Sequence, residues 1–256
     1  MKQIISAVLL SAAVAMPTMA QKQKTLSNGY PFTQVPFTSV KISQNTFWGA
    51  RLKAAREVTV PLAFSKCESE HRYKNFDMAA YTLQHPNHPG LDTKEWDVSK
   101  FMGFSFDDTD VYKTIEGASY ILQTYPNKKL KAYIDSVLNV VAAAQEPDGY
   151  LYTARTINPK HPHQWSGYKR WIKDEEASHE LYNLGHMVDA ACAHYQATGS
   201  TKFLNIAKRY ADCVVKEVGP KPGQATIVPG HQIAEMALAR LYTLTGEKKY
   251  LDEAKY

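Results

Sequence analysis

The stretch SHELYNLGHMVDAACAHYQATGSTKFL, residues 178–204, decides the fold, because GHQIAEMALARLYTLTGEKKYL, residues 230–251, repeats its second half. Tyr195/Tyr242, Thr198/Thr245, Gly199/Gly246, Phe203/Tyr250, Leu204/Leu251 and Ala207/Ala254 are all 47 residues apart. A fixed period of this size marks stacked helical hairpins, each covering the apolar face of its neighbour. Each unit also places an imidazole, His179 or His231, at the opening of its first helix. The spacing from 179 to 231 is 52 residues, so the two are analogous rather than strictly repeated. Polar residues at the mouths of repeated helices point to a site in the middle of a ring or stack.

Helical periodicity extends upstream. Ile134, Val137, Leu138, Val141 and Ala142 follow the i, i+3, i+4, i+7 pattern, and Pro147-Asp148-Gly149 supplies the turn after them. Leu181, Leu184, Val188, Ala191 and Tyr195 repeat it, as do Ala207, Tyr210, Ala211 and Val214, then Ala237, Leu241 and Leu244. A further helix is expected from Phe47 to about Val60. The segment 84–100, with Pro86, Pro89 and Gly90, reads as a loop, and a long loop is expected over 150–175. No βαβ alternation is present, so the expected class is all-α. The last helix, from near Lys248, has about two turns to Tyr256 and no terminator residue, which gives the expectation of a chain incomplete at its C-terminus.

Residues 1–20 combine a basic start, a short apolar run from Ile4 to Met16 and small residues up to Ala20, the pattern of an export signal cleaved after Ala20. The run is too short to span a bilayer, so no membrane insertion is expected after cleavage. Residues 21–45 are expected to be a linker or an edge strand, since Thr38 to Ile42 alternates. The net charge of +5 is dispersed, with no basic stripe interleaved with aromatics, so a nucleic-acid partner is not indicated. The aromatic complement is rich in tyrosine, 16 Tyr against 9 Phe and 4 Trp, which suits both core packing and contact with sugar rings. Cys67, Cys192 and Cys213 have neither disulfide-framework nor metal-ligand spacing.

Several residues can carry chemistry. His179-Glu180 begins like a zinc-protease motif, but Asn183 stands where the second histidine belongs. His186 is two turns on, roughly 10 Å along the axis, too far to share an ion. His179, preceded by Ser178 as a possible cap, and His231, after Pro229-Gly230, are therefore read as capping or core histidines, or as substrate contacts. Glu180 and Glu235 lie in first helical turns, where the dipole favours a carboxylate whether or not it acts as acid or base. Asp107-Asp108-Thr109-Asp110 reads as N-capping, with paired-carboxylate sugar hydrolysis as the rival. Trp165, Tyr168 and Trp171 are read as anchors of their loop rather than as a subsite.

Taken in order, the strings 106–113 (FDDTDVYK), 144–151 (AQEPDGYL) and 179–186 (HELYNLGH), then Gly230-His231 and 241–251 (LYTLTGEKKYL), resemble glycoside hydrolase family 127 and its relatives. These are β-L-arabinofuranosidases and related bacterial plant-glycan enzymes, and the resemblance covers roughly residues 35 to 256. It implies an (α/α)6 toroid, of which the N-terminal portion is present as a partial catalytic domain over 46–256. It also implies retaining hydrolysis of an oligosaccharide by a cysteine thiolate held on zinc, with a glutamate as acid/base. Those groups are expected downstream of residue 256, and none of the three cysteines here matches their motif. What carries over is sugar contact by His179 and His231, with Asn75, in Arg72-Tyr-Lys-Asn75-Phe76, as a further pocket candidate. Ile233 departs from the family's usual glutamate, while Glu235 keeps the second acidic position. The resemblance leads to an exported glycoside hydrolase acting on L-arabinofuranosides or related plant-glycan linkages, inactive as the 256-residue chain alone. Rival readings are an α/α-toroid lyase or unsaturated uronyl hydrolase, and a non-catalytic glycan-binding helical repeat.

Overall fold

The computed structural model describes residues 34–93 and 103–256; the expected export signal at 1–20 lies outside them. The described residues form an all-α fold, as expected, with one isolated bridge between Val218 and Ala225 and no strand. Helices α1 (Phe47–Ala54) and α2 (Val60–Ser69) are joined by a π-helical stretch, Ala55–Thr59, so the helix expected to end near Val60 continues to Ser69. The wider π turn lies just before Pro61, which has no N–H to donate. Next come α3 (Arg72–Gln84), α4 (Asp108–Thr124), α5 (Lys128–Ala143), α6 (Glu180–Thr198), α7 (Lys202–Glu217), α8 (Ile233–Thr245) and α9 (Lys248–Lys255). No helix of the described residues is long and apolar enough to cross a membrane.

The 47-residue repeat is physical. Gly199 and Gly246 close α6 and α8 in the left-handed conformation, at φ 72° and 75°, each N–H bonding back to Tyr195 or Tyr242. Thr198 and Thr245 donate to His194 O and Leu241 O and accept from the N–H of Ser200 and Glu247. Two identical turns then deliver Phe203 and Tyr250, both fully buried.

Helices α4, α6 and α8 lie side by side and point the same way. Lys113 donates to Tyr182 OH at 2.8 Å near the starts of α4 and α6, and Ser119 meets His194 at 3.1 Å further along. Arg240 of α8 pairs with Asp189 of α6 at 2.6 Å. Helices α5, α7 and α9 return behind this row, tied by Lys202 to Asp135 O and Asn139 and by Tyr250 OH to Asp212. A parallel row backed by returning helices is the hairpin arrangement of an (α/α) toroid, and it gathers the N-termini of α4, α6 and α8 at one end. Tyr112, Tyr150, Tyr152, Tyr210 and Tyr250 are among the largest fully buried side chains, so much of the tyrosine excess serves the core.

Three local expectations change. Residues 37–39 form a 3-10 turn and Val40 and Ile42 are exposed, and no strand among the described residues pairs with 38–42, which leaves the linker alternative for that stretch. The loop over 150–175 contains a helical turn, Thr153–Thr156, and runs into a π turn at Asp174–Ser178. His179 is the N-cap of α6, whereas His231 stands just before the Gln232 N-cap of α8.

Gly185 sets how closely α6 and α8 approach. A Cβ there would lie 2.7 Å from the carbonyl carbon of Ile233 and 2.8 Å from the backbone nitrogen of Ala234. Backbone at that distance cannot rotate away. Gly185→Ala is expected to cost about 1–3 kcal/mol through overpacking. Gly117→Ala, where nothing lies within 4 Å of the added carbon, is expected to be neutral or to stabilise by up to ~1 kcal/mol. Chemical denaturation of the two variants checks the contrast.

Candidate functional site

The turn entering α6 is built around a buried carboxylate. Glu180, fully buried, accepts from Tyr150 OH through Oε1 and from the Trp171 N–H and Ser178 Oγ, both at 2.8 Å, through Oε2. Ser178 is thus a donor to Glu180, not the expected helix cap. Asp174 accepts from the Leu181 N–H at 2.8 Å, and Tyr152 OH donates to Ser178 O. These bonds hold Trp171 and His179 in the left-handed region, at φ 68° and 61°, a conformation costing on the order of 1–2 kcal/mol for a side chain with a Cβ. Strain of this kind persists only where the surroundings impose it. Burial pushes the Glu180 carboxyl up to about 7 and that of Asp174 to about 6.

His179 Nδ1 lies 2.7 Å from Ala177 O. A carbonyl can only accept, so Nδ1 carries the hydrogen of this bond, and in the corresponding tautomer Nε2 is the acceptor. The His231 ring is 5.1 Å from that of His179, tilted by 36°. Tyr182 lies 5.6 Å from His179 and 5.0 Å from His231, with Lys113 on its hydroxyl. His186 packs on Tyr182 at 4.5 Å, and burial lowers its imidazole to about 4, leaving it neutral at pH 7. Gly230 makes the meeting possible: a Cβ there would lie 3.2 Å from both Asp174 O and Glu175 O, so the strand of chain before His231 rests directly on the turn before His179. His179 is half-buried and His231 exposed, which leaves the pair accessible. An imidazole acceptor held by its other nitrogen, beside a second imidazole and a tyrosine, is suited to hydrogen-bonding a polyol.

Asn75 is placed at the same end by its helix. Three residues before it, Arg72 pairs with Asp107 at 3.0 Å and Asp110 at 2.9 Å at the α4 entrance. Its own side chain is 1% exposed, so it is covered where the two histidines are open. Asp108 is not an N-cap: its carboxylate accepts from the Thr153 N–H at 2.9 Å and hydroxyl at 2.6 Å, and burial raises it to about 7. It anchors the 150–156 segment. Trp171 does pin its loop, its indole N–H donating to Glu217 at 2.9 Å, while Tyr168 is 71% exposed. Glu180 could not have been found from sequence as the organiser of the turn, since its three donors come from residues 150, 171 and 178.

All three cysteines are buried free thiols. Burial pushes the Cys192 and Cys213 thiols up to about 12 and raises that of Cys67, the reverse of what a reactive thiolate needs. Among the described residues one group, Asp148, Cys213 and Glu217, gathers candidate ligand atoms within 4.8 Å. Arg170 already fills it, reaching Asp148 at 2.7 Å, Glu217 at 2.8 Å and Glu146 at 2.7 Å. A guanidinium in the cluster satisfies the acids and excludes a second cation.

The raised Glu180 carboxyl has a measurable consequence. Its value rises from about 4.3 in an unfolded chain to about 7 when folded, so the folded state holds the proton longer. Its contribution to stability is greatest below the lower value and fades as pH rises across this window. Glu180→Gln is expected to flatten the fall in stability between pH 5 and 7, by at most ~1.4 kcal/mol per pH unit. Equal slopes for variant and parent in urea melts would overturn the assignment.

Comparison with known proteins identifies the family. The family profile described as Beta-L-arabinofuranosidase, GH127 catalytic domain, matches residues 39–256. A non-reducing end beta-L-arabinofuranosidase of Bifidobacterium longum subsp. longum is 41% identical over 157 residues, which cover 61% of this chain and 23% of that protein. The solved structure of a GH127 beta-arabinofuranosidase superposes with a TM-score of 0.80 at 65% identity, over 89% of this chain and 34% of that one. A GH127 beta-L-arabinofuranosidase from Geobacillus stearothermophilus T6 gives 0.71 at 32% identity, over 82% and 31%. The chain therefore spans about a quarter to a third of the length of these relatives. With the family profile covering residues 39–256, the chain belongs to the GH127 beta-L-arabinofuranosidase family, within its catalytic domain.

Proposed function

We propose that these residues form the sugar-binding mouth of an exported glycoside hydrolase that releases L-arabinofuranosyl units from plant-glycan oligosaccharides. The observation that carries this reading is the accessible His179–His231 pair, 5.1 Å apart at the common end of α4, α6 and α8. His179 Nε2 accepts from a sugar hydroxyl, and His231 and Tyr182 supply further donors and acceptors around the same ring. The buried Glu180 and Asp174 carboxylates hold the turn, so binding a sugar does not have to order it. Asn75 backs the wall from α3.

The chemical step is assigned elsewhere. The cysteine nucleophile, its zinc ion and the acid/base glutamate that the family resemblance implies are expected beyond residue 256, because none of Cys67, Cys192 and Cys213 matches their motif. Zinc, when bound there, supplies a deprotonated thiolate at neutral pH; the residues described here bind and orient the sugar. On this reading the 256 residues alone bind sugar without cleaving it. No observation favours the lyase or uronyl-hydrolase alternative, since Asp108 is committed to Thr153. Export rests on the basic, then apolar, then small-residue order of residues 1–20.

Two experiments test this. In the product of the whole gene, His231→Ala and His179→Asn, the latter chosen because asparagine tolerates the left-handed backbone, are expected to lower kcat/KM on a β-L-arabinofuranoside about ten- to a hundred-fold. Undiminished activity in both variants would remove the site, and release of an ultraviolet-absorbing unsaturated uronate would replace the reaction. N-terminal sequencing of the exported protein is expected to begin at Gln21, and a retained Met1 would contradict export by this signal.

A further inference from the structure

A run of aromatic rings leads away from the imidazole pair. Phe106 lies 5.1 Å from the His179 ring. Phe104 stacks on Phe106 at 5.3 Å with the planes within 3°. Trp165, from the loop before α6, stacks on Phe104 at 5.7 Å and 17°. Five rings thus follow one another from His231 to Trp165, each about 5–6 Å from the next. Their polarity falls along the run: hydrogen-bonding imidazoles at one end, then two phenyl rings and an indole.

The hydrocarbon end is exposed yet firmly mounted. Phe104 keeps 52% of its surface in solvent. Its N–H is held by Asp107 at 2.7 Å, and Asp107 is held in turn by Arg72. Ser105 donates to Ala177 O at 3.2 Å, fixing the Phe104–Phe106 segment to the turn that presents His179. On the other side, His163 packs edge-on against Trp165 at 5.6 Å and accepts from its backbone N–H at 3.3 Å. A large apolar side chain left half in water on a rigid, multiply bonded segment, continuous with a polar pocket, is the profile of a ligand-stacking surface rather than of a core residue left over.

We propose that Phe104 and Trp165 form a second sugar subsite, on which the residue next to the bound L-arabinofuranosyl unit rests the C–H face of its ring. This rests on the sugar-binding reading of the His179–His231 pair. The occupant follows from continuity: the run begins at that pair and extends beyond the reach of one monosaccharide, and its far end offers exposed aromatic surface with a single side-chain donor, the Trp165 indole N–H. Trp165, expected from sequence to pin its loop, then serves as the outer wall of the binding site, while Trp171 and Arg170 hold the loop through Glu217.

The test compares two substrates on the whole gene product: methyl β-L-arabinofuranoside, whose aglycone is too small to stack, and a β-L-arabinofuranosyl disaccharide. In Phe104→Ala and in Trp165→Ala, kcat/KM for the disaccharide is expected to fall about tenfold further than kcat/KM for the methyl glycoside, mainly through KM. Trp165→Phe, which keeps a flat face, should recover most of the difference, and thermal melting confirms that the variants are folded. Equal losses on both substrates, or no loss on the disaccharide, would overturn the subsite and make the two rings structural. Failure of the parent protein to cleave either substrate would instead overturn the sugar-binding reading itself.

Discussion

The Glu180 carboxylate is the constraint on which the site depends. It lies in the first turn of its helix, where the dipole favours negative charge, but it turns inward and collects the Tyr150 hydroxyl, the Ser178 hydroxyl and the Trp171 N–H. Those three donors fix both ends of the turn that presents His179 and the start of the loop that precedes it. An unpaired carboxylate at that depth would be very costly. The donors therefore have to be where they are, and the strained backbone at Trp171 and His179 is held by the same bonds. A stretch carrying two left-handed non-glycine residues stays ordered because its polar groups have no better arrangement.

The second imidazole is positioned by close packing rather than by charge. Gly185 lets α8 approach α6 to a distance that any Cβ would prevent, and Gly230 lets the chain before His231 settle against the carbonyls of Asp174 and Glu175. Each contact is a condition on the other: the turn must be rigid for Gly230 to rest on it, and the helices must be close for His231 to reach it. The repeated turns at Gly199 and Gly246 keep the two hairpins in the same geometry. The row of parallel helices therefore has one well-defined mouth.

Acidic residues elsewhere in the chain serve as ties. Asp107 and Asp110 hold Arg72, Asp108 holds Thr153, and Glu146, Asp148 and Glu217 surround Arg170, whose guanidinium lies 4.0 Å over the Tyr150 ring. Arg170 and Trp171 are neighbours in sequence and both bind Glu217, so this network and the Glu180 turn brace one another. Carboxylates that look catalytic in a string of letters are here spent on fixing the loops around the mouth.

The helices, their repeat and their turns were legible in the sequence because those signals are local: a 3.6-residue apolar period, a glycine that must go left-handed at the helix end, a threonine beside it. The family was legible because several motifs occur in one order. Local signals misled where a partner was needed, as at 38–42, whose alternation has no strand beside it among the described residues, and at Ser178 and Asp108, which read as caps but bond Glu180 and Thr153. That residues 179 and 231 would stand 5.1 Å apart, that Glu180 would face inward, and that Phe104 would meet Trp165 were decided only by the tertiary structure. Each depends on contacts between residues remote in the chain, and no period or spacing records which distant group will arrive.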